Sequence, residues 1–246
     1  MTAQQLKNSI LQMAVQGKLV PQNPADEPAS VLLERIRAER EQLIRDGKIK
    51  RNKDESVIFR RDNSHYEKRG ENERCIDDEI PFDVPDNWQW TRLGNVFHII
   101  MGQSPDGKSV GETNTGIEFH QGKVFFSDYI IKKSNQSTDE PTKIAPVNSV
   151  LLCVRAPVGK VNITDRELCI GRGLCAVQPL AEMTVDFTFR LLETYENIFI
   201  KQATGTTFIA ITGEIVKNQL IPLPPFSEQH KIVGKINFLF QICDRL

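Results

Sequence analysis

The chain has 246 residues with 31 Lys and Arg against 32 Asp and Glu, 39% of it apolar and 26% charged. That balance excludes a disordered chain and a collagen-like repeat, and suits one domain with an appendage or two small domains. No apolar run approaches the roughly 18 residues of a membrane span, and the opening MTAQQLKNSI lacks a signal-peptide layout, so the expectation is a cytoplasmic chain with no membrane partner.

In chain order, residues 2–46 read as two helices. Thr2 and Gln5 stand at capping-box spacing, Leu6, Ile10, Met13 and Ala14 share a face, and Gly17 offers a left-handed stop. The second helix begins near residues 28–30, turns Leu32, Ile36, Leu43 and Ile44 inward and stops at Gly47, with Arg35–Glu39 and Glu41–Arg45 spaced for ion pairs four residues apart. Residues 48–79 begin with a basic run and are of low hydrophobicity, which reads as a basic polar linker between the helical segment 1–47 and the remainder of the chain.

From Ile80 the pattern changes. Short β-branched and aromatic runs at 96–101, 124–126, 149–154, 161–164 and 174–177, punctuated by Gly, Pro, Asn and Asp, predict a strand-rich domain over 80–224. A helix is expected over 184–203, with Phe187, Leu191, Tyr195, Ile198 and Phe199 at helical spacing, and a last strand over 217–223. Residues 225–246 open a further helix with Ser227 as its N-cap. Its Ile232, Ile236, Leu239, Cys243 and Leu246 repeat in steps of four and three, the seam of a coiled coil that awaits another helix, another chain or its own domain. The fold class is therefore α+β: a strand-rich domain with one or two packed helices, between N-terminal helices and a C-terminal coiled-coil-type helix.

Charge is unevenly placed. Residues 1–74 hold 15 Lys and Arg against 12 Asp and Glu, and residues 75–246 hold 16 against 20, so any anion-binding surface must be a local patch. The five cysteines (Cys75, Cys153, Cys169, Cys175, Cys243) are odd in number and never spaced C-x-x-C. The histidines (His65, His98, His120, His230) are scattered, so the thiols read as structural residues on buried strands and no metal site is expected.

Three motif matches weaken in context. Gly102–Ser109 fits G-x-x-x-x-G-K-[ST], but a nucleotide loop needs a helix starting at Lys108-Ser109, and Val110 to Gly116 is a poor helix former. Gly171-Arg-Gly-Leu-Cys-Ala176 fits G-x-G-x-x-A yet runs into a strand-like segment ending at Pro179. Leu223-Pro-Pro-Phe226 is near an amine-methylase signature, but Leu223 cannot accept a hydrogen bond from the amine. What remains is a set of donors on loops between strands: Gln103, Ser104, Lys108, Gln121, Lys123, Lys132, Lys133, Arg155, Lys160, Arg172, Thr206 and Thr207. Such residues suit phosphates and base edges.

Four stretches, LKNSILQMAVQGKLVPQNPADEPASVLLERIRAERE, IPFDVPDNWQWTRLGNVF, VLLCVRAPVGKVNITDRELCIGRGLCAVQP and ATGTTFIAITGEIVKNQLIPLPPFSEQHKIVGKI, resemble a specificity subunit of type I restriction–modification systems. The resemblance explains Gly102-Gln-Ser-Pro105 as a G-x-S-P element near the start of a target recognition domain, and places that domain at 80–224 with a spacer helix beginning at 225. It implies sequence-specific recognition of double-stranded DNA by a non-catalytic subunit that holds no cofactor. S-adenosylmethionine would sit on modification subunits, and ATP and Mg on a restriction subunit. Full members carry two recognition domains, so this chain resembles one half, and two copies paired through the final helix would read a symmetric site. The rival readings are a nucleotide-binding enzyme using Gly102–Ser109 and a protein-interaction scaffold that does not bind DNA.

Overall fold

A computed structural model describes residues 2–51, 55–112, 115–205 and 209–245. The chain opens with α1 (Ala3–Val15) and α2 (Ala29–Arg45), then β1 (Val57–Arg61), β2 (Ser64–Arg69), β3 (Asn72–Cys75), β4 (Gln89–Arg92) and the single turn α3 (Leu93–Val96). It continues through β5 (Phe97–Met101), β6 (Val110–Gly111), β7 (Ile117–His120), β8 (Ser137–Thr138), β9 (Ile144–Ala145), β10 (Ser149–Cys153), β11 (Val161–Thr164), β12 (Leu168–Ile170) and β13 (Leu174–Pro179). It closes with α4 (Val185–Thr194), α5 (Glu196–Gln202), α6 (Gly213–Asn218), β14 (Leu220–Leu223) and α7 (Phe226–Cys243). The fold is α+β, divided into one unit of residues 1–96, 180–187 and 217–246 and another of residues 97–179 and 188–216. Among the described residues, no helix is long and apolar enough to cross a membrane.

In the first unit, the capping box at α1 is complete: Thr2 Oγ1 accepts from the Gln5 amide, and Gln5 Oε1 accepts from the Thr2 amide. Ile10, Leu11, Ala14 and Val15 are buried, whereas Met13 is exposed. Leu32 and Ile36 of α2 are buried as expected, with Leu43 and Ile44 only half-buried. The ion pairs expected along α2 do not form. Arg35 instead binds Glu27 and Glu182, and Arg51 grips Glu41 with two parallel bonds of 2.8 and 2.7 Å, a fork geometry that a helical neighbour offers less well.

The polar segment read as a linker carries strands. β1, β2 and β3 form an antiparallel meander whose first turn places Asp62 and Asn63 at φ of 51° and 65°, the left-handed pair of a tight hairpin. Its apolar content is low because an ion cluster supplements the core. The Glu67 carboxylate is buried and accepts from Arg92 (2.9 Å from Nε and Nη2), Arg69 (3.0 Å) and Arg74 (2.7 Å). Burial alone would raise the Glu67 pKa; these bonds overcome it and hold the carboxylate far below its usual range. Ile58, Ile76, Trp90 and Leu220 form the adjoining apolar core.

β4 pairs antiparallel with β14, and α1 packs along α7. The cap of α7 is Pro225 rather than Ser227, with no side-chain bond. A buried contact steadies that first turn: Trp88 Nε1 donates to Glu228 at 2.9 Å.

The second unit holds an antiparallel sheet in the order β11-β10-β13-β5 and another in the order β6-β8-β7-β12-β9, in which β7 and β12 run parallel. Leu151, Cys153, Leu168, Ile170, Leu174 and Ala176 form its core. The strand expected over 124–126 is a 3-10 turn, Lys123–Phe125. Phe125 and Phe126 both pack on that core, which consecutive strand residues cannot do because their side chains alternate between faces. The helix expected over 184–203 breaks at Tyr195 into α4 and α5, and the segment expected as strand from 217 begins its strand at Leu220. Cys153, Cys169 and Cys175 are buried on strands; Cys243 is buried on a helix and Cys75 is exposed.

Candidate nucleic-acid interface

The registers of the β11-β10-β13-β5 sheet gather three loops at one end. Met101 closes β5 opposite Cys175, Cys153 closes β10 opposite Leu174, and Leu152 lies opposite Val161 where β11 begins. The loops at 102–106, 154–160 and 171–173 therefore leave from the same edge. The parallel strands β7 and β12 end side by side at His120 and Ile170, which brings residues 121–123 to the same place.

Backbone hydrogen bonds join these loops. Gly102 N donates to Leu174 O and Gln103 N to Ile170 O, both at 3.0 Å; Gly171 N donates to His120 O at 2.8 Å, and Val154 N to Gly173 O at 2.9 Å. A side chain at Gly102 would collide with the Gly171 carbonyl, and one at Gly173 with the Gln121 carbonyl. These glycines permit backbone to touch backbone, which is the structural content of both decoy motifs. Gly107–Ser109 is one 3-10 turn leading into β6, and Leu174–Pro179 is a strand, so neither motif opens an α-helix toward a phosphate.

Gln103, Ser104, Gln121 and Arg172 meet in this junction. Ser104 Oγ donates to Gln121 Oε1 at 2.7 Å and accepts from the Arg172 amide at 3.4 Å, while Thr142 Oγ1 donates to the Gln103 carbonyl. With the side-chain carbonyl of this exposed residue engaged, the group Gln121 has left to offer is its NH₂ donor, suited to an acceptor such as purine N7, guanine O6 or thymine O4. The Gln103, Gln121 and Arg172 side chains are exposed.

Lys123 and Arg155 add charge at this end; with Arg172 they are exposed and make no ion pair among the described residues. Burial pushes the Cys153 thiol up to about 12 against the opposing charges of Lys123 and Lys160. Lys160 is neutralised by Glu196 at 2.7 Å.

Other expected donors lie elsewhere. Lys108 lies within the Asp106-capped turn, whose Ser109 touches Thr138 (3.1 Å) opposite Ile117, where β7 begins rather than where it ends. Lys132 and Lys133 are exposed on the segment after Ile131, which is linked to the turn at 123–125 by the bond from Lys132 N to Phe125 O at 2.8 Å. Thr206 and Thr207 lie outside the described residues. On the expected partner helix, Ile232, Ile236 and Cys243 are buried, Leu239 is half-buried, and Leu246 lies outside the described residues; α1 of the same chain packs against this helix.

A partly buried cluster behind the junction was not legible in the sequence. Glu118 accepts from Arg166 Nε and Nη2 (2.8 Å each), from the Ser134 amide (2.6 Å) and from His120 Nε2 (2.7 Å). Burial works to raise the Glu118 pKa, but these donors outweigh it and hold it at about 2. Burial likewise lowers the His120 pKa, against the pull of the Glu118 charge, and so favours the neutral ring, whose Nε2–H points at the carboxylate. Arg166 also reaches the Ile131 carbonyl at 3.3 Å, so the Glu118–Arg166 pair ties β7, which leads into Gln121, to the segment that leads into Lys132 and Lys133. His120 is two residues on from Glu118, but Ser134 and Arg166 are 16 and 48 residues away, beyond any local pattern.

A sequence profile described as the type I restriction modification DNA specificity domain matches residues 85–245. The chain belongs to this family. The chain is similar to the EcoAI specificity subunit of Escherichia coli, with 30% identity over 98% of this chain and 40% of that protein. It is also similar to the putative MjaX specificity subunit of Methanocaldococcus jannaschii, with 37% identity over 66% of this chain and 39% of that one. Among solved structures, the HsdS subunit from Thermoanaerobacter tengcongensis superposes with a TM-score of 0.61 at 36% identity, covering 67% of this chain and 40% of that one. A chain solved in a study of complex assembly and conformational transition of the type I R-M system also gives 0.61, at 29% identity over 88% and 50%. The chain thus spans about 40% of the length of the curated relatives it matches.

Proposed function

We propose that this chain recognises double-stranded DNA sequence as the non-catalytic specificity component of a type I restriction–modification complex. Within the recognition domain at 80–224, the reader is the unit of residues 97–179 and 188–216. The helices at 1–47 and from 225 onward act as spacers and docking elements for modification subunits that carry S-adenosylmethionine, and a restriction subunit supplies ATP and Mg chemistry. The observation that carries this reading is the junction of Gln103, Ser104, Gln121 and Arg172 on glycine-welded loops beside the unpaired cations Lys123 and Arg155. Amide and guanidinium groups held on fixed backbone suit base edges, and the flanking cations suit phosphates.

The test is co-expression with the cognate modification subunit, followed by mapping of methylated adenines. Arg172→Ala is expected to relax one position of the methylated motif, at a cost of about 1–3 kcal/mol of discrimination. Motif-independent or unchanged methylation would refute the assignment. Because the chain's net charge is −1, DNA binding by the isolated chain is expected to be weak and to fall steeply with salt. Pairing of two copies through α7 belongs to the same proposal. Since α1 already lies along that helix, the residues left to make the pair are the exposed Phe238 and Ile242, and sedimentation of Phe238→Glu against the parent chain tests it.

A further inference from the structure

Next to the polar junction stands a side chain that folding does not explain. Val124 is 85% exposed, against 57% for Phe238, the next large apolar residue in that respect among those described. A single exposed apolar side chain is unremarkable by itself, so its setting decides. Val124 is the middle residue of the turn Lys123–Phe125, three positions after Gln121 and beside Lys123.

This turn is anchored from both sides. After it, Phe125 and Phe126 pack on the core, the Phe125 ring meets His120 edge-on at 5.5 Å, Phe126 N donates to Lys123 O at 2.9 Å, and Lys132 N donates to Phe125 O at 2.8 Å. Before it, Gln121 is bonded to Ser104, and Gly122 lies against Gly173. With Phe125 turned inward, the fixed turn holds Val124 out in water, where its methyl groups contribute almost nothing to stability. It does so next to a cation with no ion pair among the described residues and three positions after a side-chain amide. In the major groove, the feature of a base pair that rewards an aliphatic contact is the 5-methyl group of thymine.

We propose that Val124 is a specificity-determining residue that packs on the 5-methyl group of one thymine in the target site, an inference that rests on the DNA-reading assignment above. Lys123 then takes an adjacent phosphate, and the Gln121 NH₂ takes an acceptor on the same or the neighbouring base. Loss of one buried methyl corresponds to about a fourfold drop in rate or affinity.

The experiment uses the full chain assembled with its modification subunits, and synthetic duplexes carrying the mapped motif. Each thymine of the motif is replaced singly by deoxyuridine, which removes only the methyl group, and methylation rates are compared. One position is expected to lose about fourfold with the parent chain. Val124→Ala should lower the rate on the thymine duplex to a similar level and abolish the difference between thymine and deoxyuridine there, while Val124→Ile retains it. The proposal is overturned if no position is sensitive to the methyl group, if the sensitivity survives Val124→Ala, or if the motif specifies no thymine, in each case with motif-selective methylation intact. Loss of motif selectivity in the parent complex would instead overturn the reading assignment itself.

Discussion

Replacing Glu118 by Gln keeps the shape of the side chain and removes the charge that Arg166, His120 and the Ser134 amide converge on. The size of the effect follows from its pKa. A carboxyl held at about 2 against an ordinary 4.5 corresponds to about 3 kcal/mol in favour of the charged form in the folded chain. Arg166 is 32% exposed and recovers some hydration when its partner is neutralised, so a net loss of about 2 kcal/mol is expected at neutral pH. Because the folded value lies below the unfolded one, this stabilisation is fully present above about pH 4.5 and fades as pH falls toward 2. The gap between parent and Glu118→Gln should therefore shrink between pH 6 and about pH 3. Both tryptophans, Trp88 and Trp90, belong to the first unit, so fluorescence does not follow this region. Amide exchange over residues 118–136 at increasing urea, read by mass spectrometry, is the suitable assay. A gap below about 0.5 kcal/mol at pH 7, or one that does not change with pH, would refute the role given to the cluster.

The two glycines of the nucleotide-loop pattern should behave oppositely. Gly102→Ala drives a methyl group into the Gly171 and Leu174 carbonyls and should cost about 2 kcal/mol together with motif methylation, whereas Gly107→Ala meets nothing within 4 Å and should be tolerated in both denaturation and methylation assays. Trp88→Phe leaves Glu228 without its 2.9 Å donor in a buried site. A loss of about 1–3 kcal/mol is expected, seen as a lower urea midpoint through the remaining Trp90. Lys123→Ala should reduce the slope of log affinity against log salt for the assembled complex by about one, and Lys160→Ala, already neutralised by Glu196, by distinctly less.

Local chemistry was readable where it is short-range. The Thr2–Gln5 box, the stops at Gly17 and Gly47 with φ of 68° and 70°, and the buried thiols of Cys153, Cys169 and Cys175 follow from spacing alone. The meander at 57–75 did not, because its stability comes partly from Glu67 binding Arg92, 25 residues on, rather than from alternating apolar residues. Arg35 and Glu41 passed over their helical neighbours for the same reason: partners brought by the fold offered better geometry. At the candidate site the donor types and the glycines were evident, but not which donors share a loop junction, since that depends on strand register. Val124 was hidden by its own composition, because a Val-Phe-Phe run reads as strand until the core demands both aromatics on one side.

The chain passes from one unit to the other after residues 96, 179, 187 and 216. Residues 97–216 transplanted into a relative would thus carry along the stretch 180–187, whose Met183 and Glu182 contact Gln229 and Arg35 of the other unit's remainder. A chimera made to exchange target preference needs a host that accommodates those side chains, or a graft in two pieces that leaves the host's own 180–187 in place. Proteolytic cleavage after residue 96 would leave 180–187 and 217–246 on the larger fragment. The two pieces would then part on a denaturing gel yet co-elute under native conditions, held by the pairing of β4 with β14 and of α1 with α7.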